Sequence, residues 1–104
     1  MRRILPQRRP ALTFTVIHWN QPFSVTAGFF EDGRLGEVFV DARKTGGDVE
    51  AIARDAAVVI SLALQHGATV EAIRHAVTRD GNGGAASIMG AIVDRLPATG
   101  RGAA

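Results

Sequence analysis

The sequence predicts an α+β domain in which three antiparallel strands come first and helices follow. Apolar and polar side chains alternate through three runs, at residues 12–19, 23–29 and 35–42, which is the period of a half-buried strand. Beyond these runs the apolar residues take helical spacing, beginning with a nearly continuous apolar segment at 56–64. Because the strands precede the helices instead of alternating with them, parallel βαβ units are not expected.

The turns between the strand runs are marked by residues that favour chain reversal. Residues 20–22, Asn-Gln-Pro, end the first run, and residues 31–34, Glu-Asp-Gly-Arg, separate the second run from the third. The Asp-Gly pair is a strong hairpin signal, because a type I′ turn needs positive φ angles that glycine adopts without strain. One apolar face of the sheet is expected to pack against the long helix: Phe14, Val16, Phe23, Val25, Val38 and Val40.

A long helix is predicted from Val49 to His66, with Gly67 directly after its end. Thr45 and Asp48 form a capping-box-like pair at its start. Its apolar segment covers most of the helix circumference, which predicts a helix buried in the core. The apolar segment is far shorter than the roughly 20 residues of a bilayer span, so no membrane association is expected.

Two shorter helices complete the predicted domain. Thr69 can cap a helix from Val70 to Val77, and a third helix over about 85–96 stops at Pro97. With 104 residues the chain has room for one core. We expect a flexible basic arm at 1–10, a single folded domain at 11–97 and a disordered tail at 98–104.

The composition excludes several kinds of chemistry. With 46% hydrophobic and 21% charged residues the chain belongs among soluble globular proteins. It contains no cysteine, which excludes disulfides, thiolate metal sites and cysteine nucleophiles. The opening ten residues contain two prolines and no long apolar stretch, so no secretory signal is expected and a cytoplasmic location is the default.

The strongest candidate for an anion or nucleotide site is the loop before the long helix. Unpaired backbone N–H groups and the helix dipole favour phosphate there, and two basic side chains lie beside them. The Gly-x-x-x-x-Gly-Lys order of a P-loop is absent, and a tight strand-to-helix turn is the alternative reading. The candidate residues are Arg43, Lys44, Thr45, Gly46 and Gly47.

A second glycine-rich loop, at 79–84, also precedes a helix. Asp80 argues against an anion in this loop, and a simple turn between helices explains the glycines equally well. If the two loops met in space, a nucleotide pocket would become plausible.

No catalytic, metal or cofactor site emerges from the sequence. The three histidines, His18, His66 and His75, have no zinc-binding spacing. Ser61 lies inside the apolar run, where its hydroxyl is expected to bond back to the preceding turn. The adjacent acids at 31–32 sit at a hairpin tip, where solvent keeps both ionised. An enzyme would regain support only if His18, His75 and Asp80 met in one cleft.

The second face of the sheet carries more apolar residues than a solvated face requires. Four of them could form a partner surface, although scattered exposed apolar residues are the alternative. These candidates are Ile17, Trp19, Phe30 and Phe39. The open edges of a three-stranded sheet also make a homodimer possible.

Three blocks resemble the TSCPD-type domain: residues 36–41, 44–48 and 60–67. That domain occurs at the C-terminal end of adenosylcobalamin-dependent (class II) ribonucleoside-diphosphate reductases and in small stand-alone proteins. Residues 75–80 and 87–91 are similar to the stand-alone form, and the likeness covers about 12–96. The Thr-Ser-Cys-Pro-Asp signature and the cysteines of the reductase are absent, so no catalytic residue can be carried over.

The resemblance implies a non-catalytic accessory module that binds a partner protein or a nucleotide, with a reductase-related protein as one possible partner. The alternative is a nucleic-acid-binding protein that acts through the arginines of its N-terminal arm. That alternative predicts steep salt dependence and loss of binding when residues 1–10 are deleted. The arginines are Arg2, Arg3, Arg8 and Arg9.

Overall fold

The computed structural model describes residues 1–42 and 47–99 and confirms the α+β class. Three strands precede three helices, in the order β1 (Ala11–His18), β2 (Gln21–Phe29), β3 (Leu35–Ala42), α1 (Asp48–Gln65), α2 (Val70–Ala76) and α3 (Ile88–Arg95). The strands form one antiparallel sheet in the order β1-β2-β3.

Tight turns connect the strands. Trp19 and Asn20 form the two-residue turn between β1 and β2, with φ angles of 51° and 63°, as a type I′ turn requires. In the turn from β2 to β3, Gly33 has a φ of 90°. The Asp-Gly signal therefore marks a real reversal, although Asp32 lacks the positive φ of the predicted type I′ turn. The reversal predicted at residues 20–22 lies one residue earlier, at Trp19 and Asn20, and Gln21 and Pro22 begin β2.

The predicted inner face of the sheet is confirmed. Cross-strand register places Phe14, Val25 and Val40 in one row, and Val16, Phe23 and Ala42 in the next. Helices α1 and α3 pack over this face, and their buried residues complete a single core that includes Ala53, Ala57, Leu64, Ile88, Ile92, Val93 and Leu96.

The long helix is not buried, contrary to the prediction from its apolar run. Ala53 and Ala57 are fully covered, but Ile52 and Val59 are both 64% exposed. Helix α1 lies mainly against β3 and touches α3 to a smaller extent, so much of its outer side has no neighbour among the described residues. Ala53, Ala57 and Leu64 face the core, whereas Ile52, Val58, Val59 and Leu62 point outward.

The helix ends follow the capping rules in part. The Thr69 hydroxyl accepts a hydrogen bond from Ala72 N–H at 3.1 Å, as predicted for α2. The Ser87 hydroxyl accepts a hydrogen bond from Gly90 N–H and caps α3. Helix α3 therefore starts at Ile88, three residues later than predicted. Gly47 is the N-cap of α1 and offers no side chain. The predicted cap, Thr45, lies outside the described residues.

Hydrogen bonds connect the first ten residues, which the sequence predicts to be a flexible arm, to the domain at two points. The backbone N–H of Arg3 donates to the Gln65 carbonyl at 2.7 Å, and Phe29 N–H donates to the Pro10 carbonyl at 3.1 Å. At the other end, Leu35 N–H donates to the Ala98 carbonyl at 3.0 Å. Residues 98–99 are therefore tied to β3; the rest of the predicted tail, 100–104, lies outside the described residues.

Candidate partner-binding surface

Helix α1 closes the outer edge of β3 with two polar side chains. The Ser61 hydroxyl accepts a hydrogen bond from Val38 N–H at 2.8 Å and lies 3.1 Å from the Val38 carbonyl. One turn further along, the Gln65 side-chain amide donates to the Gly36 carbonyl at 3.1 Å. Backbone groups that would otherwise face outward from the edge strand thus have partners.

A groove runs between this strand edge and the helix. It has a volume of about 440 Å³ and contains the side chains of Phe39, Val58 and Leu62. Its rim is polar, because Arg54 pairs with Asp41 at 2.5 Å on one side. At the other end the Arg2 guanidinium donates to the Gln65 side-chain oxygen at 2.5 Å.

The apolar lining of the groove continues onto the outer side of α1. Ile52, Val59 and Leu62 are spaced seven and three residues apart, which places them along one stripe of the helix. Their exposed fractions, with those of Phe39 and Val58, lie between 40% and 64%. We call these five residues the α1 surface: Phe39, Ile52, Val58, Val59 and Leu62.

The partner surface predicted from the sequence is only partly assembled. Ile17, Trp19 and Phe39 are exposed, but Phe30 is 3% exposed and lies under the Arg3 guanidinium, 4.0 Å from the ring centre. Phe30 therefore contributes to no exposed surface. A polar row of the sheet, Thr15, Ser24 and Asp41, separates Ile17 from Phe39.

The predicted anion loop before α1 lies mostly outside the described residues. Of its five members only Gly47 is described, as the N-cap of α1. The first turn of the helix carries two acidic residues, Asp48 and Glu50, which oppose a bound anion.

In the second glycine-rich loop, the backbone N–H groups donate to a carboxylate of the loop itself. Asp80 Oδ1 accepts hydrogen bonds from the backbone N–H groups of Asn82 and Gly84, both at 2.9 Å. These amides are the groups that would have held an external anion. The loop therefore acts as a turn, the simpler of the two sequence interpretations.

Arg79 joins the segment after α2 to helix α3. Its guanidinium makes two hydrogen bonds to the Asp94 carboxylate, at 2.5 and 2.7 Å, and a third to the Arg74 carbonyl at 2.8 Å. These hydrogen bonds lower the pKa of Asp94 and raise that of Arg79. Arg74 in turn donates to the carbonyls of Val93 and Leu96. The 75–80 block thus holds two helices together.

Two side chains that were considered as site candidates, those of His75 and Ser61, bond to backbone groups of their own helices. His75 Nδ1 lies 2.8 Å from the Glu71 carbonyl of its own helix. Within residues 1–42 and 47–99, no three histidine or acidic side chains are grouped as a metal ion would need. The Ser61 hydroxyl is 2.8 Å from the Ala57 carbonyl, the bond to the preceding turn that the sequence predicted.

Three of the four arm arginines make contacts within the chain. Arg2 binds Gln65, Arg3 pairs with Asp32 at 3.0 Å, and Arg9 holds Glu37 through both carboxylate oxygens. The Glu37 hydrogen bond is the main cause of the raised pKa of Arg9. The Arg34 backbone N–H, followed by Arg3, lowers the pKa of Asp32.

Glu37 can reach Arg9 because Gly28 leaves it room on the open face of the sheet. A Cβ atom at Gly28 would come within 2.7 Å of Glu37 Cγ and 2.9 Å of Cδ. The glycine therefore permits the buried carboxylate that holds the arm.

A family model described as the TSCPD domain matches residues 2–98, nearly the whole chain. The chain belongs to the TSCPD domain family, as the three sequence blocks indicated. The match includes the N-terminal arm, in agreement with its contacts to the domain.

Two curated relatives are vitamin B12-dependent ribonucleotide reductases. The one from Agrobacterium fabrum is 36% identical over 77 residues, and the one from Bradyrhizobium diazoefficiens is 31% identical over 70 residues. These matches cover 74% and 67% of this chain but only 6% of either relative. No solved structure matches the chain significantly.

Two blocks of the resemblance lie on opposite walls of the groove. Residues 36–41 form the β3 wall and residues 60–67 include the α1 side chains that face it.

Among the described residues, no helix is long and apolar enough to cross a membrane.

Proposed function

We propose that the chain is a non-catalytic accessory module that binds a partner protein through the α1 surface. One observation carries the proposal: a long helix turns its large apolar side chains to solvent beside an apolar groove with a charged rim. Exposed apolar side chains clustered beside polar groups, here with the carboxylate of Asp55 among them, are typical of protein–protein interfaces.

The residues of the chain support a binding role better than a catalytic one. Ser61, the hydroxyl nearest the groove, is engaged with three backbone groups. The sequence contains no cysteine for thiol or thiyl-radical chemistry. We therefore expect no turnover of ribonucleotides by the chain alone.

The reductase relatives suggest the kind of partner. In those proteins the matching segment is about 6% of a single long chain. A domain that is covalently joined to a larger catalytic body in one protein is expected to pack on such a body in another. A protein related to the vitamin B12-dependent ribonucleotide reductases is accordingly the proposed partner.

The experiment measures binding of the chain to a vitamin B12-dependent ribonucleotide reductase that lacks its own TSCPD segment. Leu62→Glu and Val58→Glu place a charge on the α1 surface and should weaken binding at least about tenfold, since burying an unpaired charge is costly. Ile17→Glu is the matched control, because Ile17 is more exposed than Leu62 and Val58 but lies on the open sheet face. Equal affinity for all three variants would exclude the α1 surface.

The chain also offers a surface for a second copy of itself. β1 forms one edge of the sheet, and its eight residues contain neither charge nor proline and pair with β2 without a bulge. Such an unprotected edge is suited to strand pairing. We include a homodimer through β1 in the proposal, as an association separate from partner binding by α1.

A further inference from the structure

The exposed side of α1 has the residue spacing of a helix that packs against another helix. Ile52, Asp55, Val59 and Leu62 follow one another at intervals of three, four and three residues, which is the spacing of the a and d positions of a coiled-coil heptad. All four are exposed. Asp55 and Val59 each lie two residues from the buried Ala57, about half a turn of the helix away. We call these four residues the α1 stripe.

The positions that border the α1 stripe carry no charge. In the heptad these are the e and g positions, where charged side chains commonly set the choice of partner. Here they hold small or apolar residues: Ala51, Ala56, Val58 and Ala63. Small side chains at a contact allow two helix axes to come close together. Asp55 is therefore the one charged group on the part of α1 that a second helix would cover.

The Asp55 carboxylate has no partner in the described parts of the chain, residues 1–42 and 47–99. Its neighbours three and four positions away on the helix are apolar: Ala51, Ile52, Val58 and Val59. The adjacent cation, Arg54, pairs with Asp41 at 2.5 Å. Covering the α1 stripe would therefore bury a lone carboxylate, which is costly unless the covering element supplies a cation.

Building on the proposed function, we propose that the partner element that covers the α1 surface is an amphipathic helix with an arginine or lysine opposite Asp55. Its apolar residues, spaced three and four apart, pack on Ile52, Val59 and Leu62. One ion pair in an otherwise apolar contact between helices fixes the register of the two helices. A second copy of α1 is a poorer match, because the basic residue on its exposed side is His66, just past the helix end.

Substitution of Asp55 tests the charge match. The full chain is titrated with the vitamin B12-dependent ribonucleotide reductase that lacks its own TSCPD segment. Asp55→Glu keeps the charge and should leave the dissociation constant within about twofold of the wild type, whereas Asp55→Lys opposes the partner's cation and should raise it about tenfold or more. Glu31→Lys, the matched control, makes the same charge change at an exposed position between β2 and β3. Equal affinity of Asp55→Lys and Glu31→Lys would overturn the proposal.

Crosslinking tests whether the partner element is a helix. A photoreactive benzoylphenylalanine replaces Ile52 in one variant and Val59 in another, and these positions lie about 10.5 Å apart along α1. The reductase residues that the two variants capture should lie in one segment, about seven residues apart. An extended segment covers the same length in about three residues. A separation of about three residues, capture in unrelated segments, or capture of a second copy of this chain would overturn the proposal.

The two experiments distinguish a wrong partner element from a wrong function. If the wild type does not bind the reductase, or if Leu62→Glu and Val58→Glu bind as the wild type does, the proposed function fails and the helical partner element fails with it. If Leu62→Glu weakens binding but the Asp55 variants or the crosslinks behave otherwise than expected, the α1 surface still binds a partner. Only the basic, helical nature of the partner element is then wrong.

Discussion

The Ser61 side chain contacts the backbone of Val38 at the edge of β3, where no further strand pairs with the sheet. The Ser61 hydroxyl accepts the Val38 N–H at 2.8 Å and lies 3.1 Å from the Val38 carbonyl, as a neighbouring strand's backbone would. Helix α1 thereby supplies hydrogen-bond partners to part of the edge of β3.

Ser61→Ala should destabilise the domain by about 1–3 kcal/mol, because the backbone groups of the buried Val38 lose their partner. Chemical denaturation measures the free energy of unfolding. Ser24→Ala, an exposed serine in the open face of the same sheet, should change it by less than about 0.5 kcal/mol. Equal effects of the two substitutions would mean that the Ser61 bonds do not stabilise the edge.

The Arg79–Asp94 pair should make stability depend on pH in the acid range. Because the folded-state pKa of Asp94 is lowered, its contribution is fully present above the ordinary value, about 3.9, and is lost as the pH falls through the folded pKa. Asp94→Asn should therefore be less stable than wild type at pH 7, and the difference should shrink towards pH 2.5.

Thermal unfolding at a series of pH values measures this difference. Asp55→Asn, an exposed residue on the outer side of α1, controls for the change in net charge. If Asp94→Asn stays below wild type by the same margin at pH 7 and pH 2.5, the ionised Asp94 contributes nothing specific.

Glu37 should determine whether the N-terminal arm stays docked. Glu37→Ala removes the carboxylate that Arg9 binds, so the peptide bond after Arg8 should become several-fold more susceptible to trypsin. Mass spectrometry of the fragments follows the rate at each site. Asp41→Ala removes a different ion pair from the same strand and should leave cleavage after Arg8 unchanged.

Cleavage after Arg95, inside the folded body, separates arm release from general unfolding. It should be as slow in Glu37→Ala as in wild type. An unaltered rate after Arg8 would show that the backbone hydrogen bonds of Arg3 and Pro10 hold the arm without help from Glu37.

Thr15→Pro should prevent strand pairing between two copies through β1. His18 and Gln21 flank a two-residue turn and form a hydrogen-bonded pair, so by alternation the backbone of Thr15 points away from β2. Proline there removes an outward donor while leaving the β1–β2 ladder intact. Sedimentation velocity should show a concentration-dependent dimer for the wild type and a monomer for the variant; a dimer that survives would place the interface elsewhere.

Lys44 tests the predicted anion loop, which lies mostly outside the described residues. If the loop binds phosphate groups, nucleotides or polyphosphates should raise the midpoint of thermal unfolding of the wild type, and Lys44→Ala should reduce the rise. Lys44 is the only lysine in the chain. A rise of equal size in both proteins would remove the loop as an anion site.

The regular elements could be predicted because each has a local cause. Alternating side chains define the strands, Asp32-Gly33 defines one hairpin, and Thr69 marks the start of α2. The bond from Ser61 to the preceding turn also follows from its position in a helix. Its second role, at the edge of β3, depends on where that helix packs, which the pattern of α1 alone does not reveal.

The exposure of the candidate surface residues differs from the prediction for a related reason. An apolar run on all sides of a helix was interpreted as burial, but α1 has the sheet edge on one side only, and Ala53 and Ala57 face it. Phe30 was expected on the surface because nothing local indicates that Arg3 covers it. Contacts between residues distant in sequence decide both outcomes.

The closed edge of β3 sets a limit on self-association. A sheet that is open at both borders can add copies without end and form a fibril. In this domain α1 covers one border at Gly36 and Val38, so the proposed pairing through β1 would use the open border of each molecule. The proposed pairing would then stop at two chains.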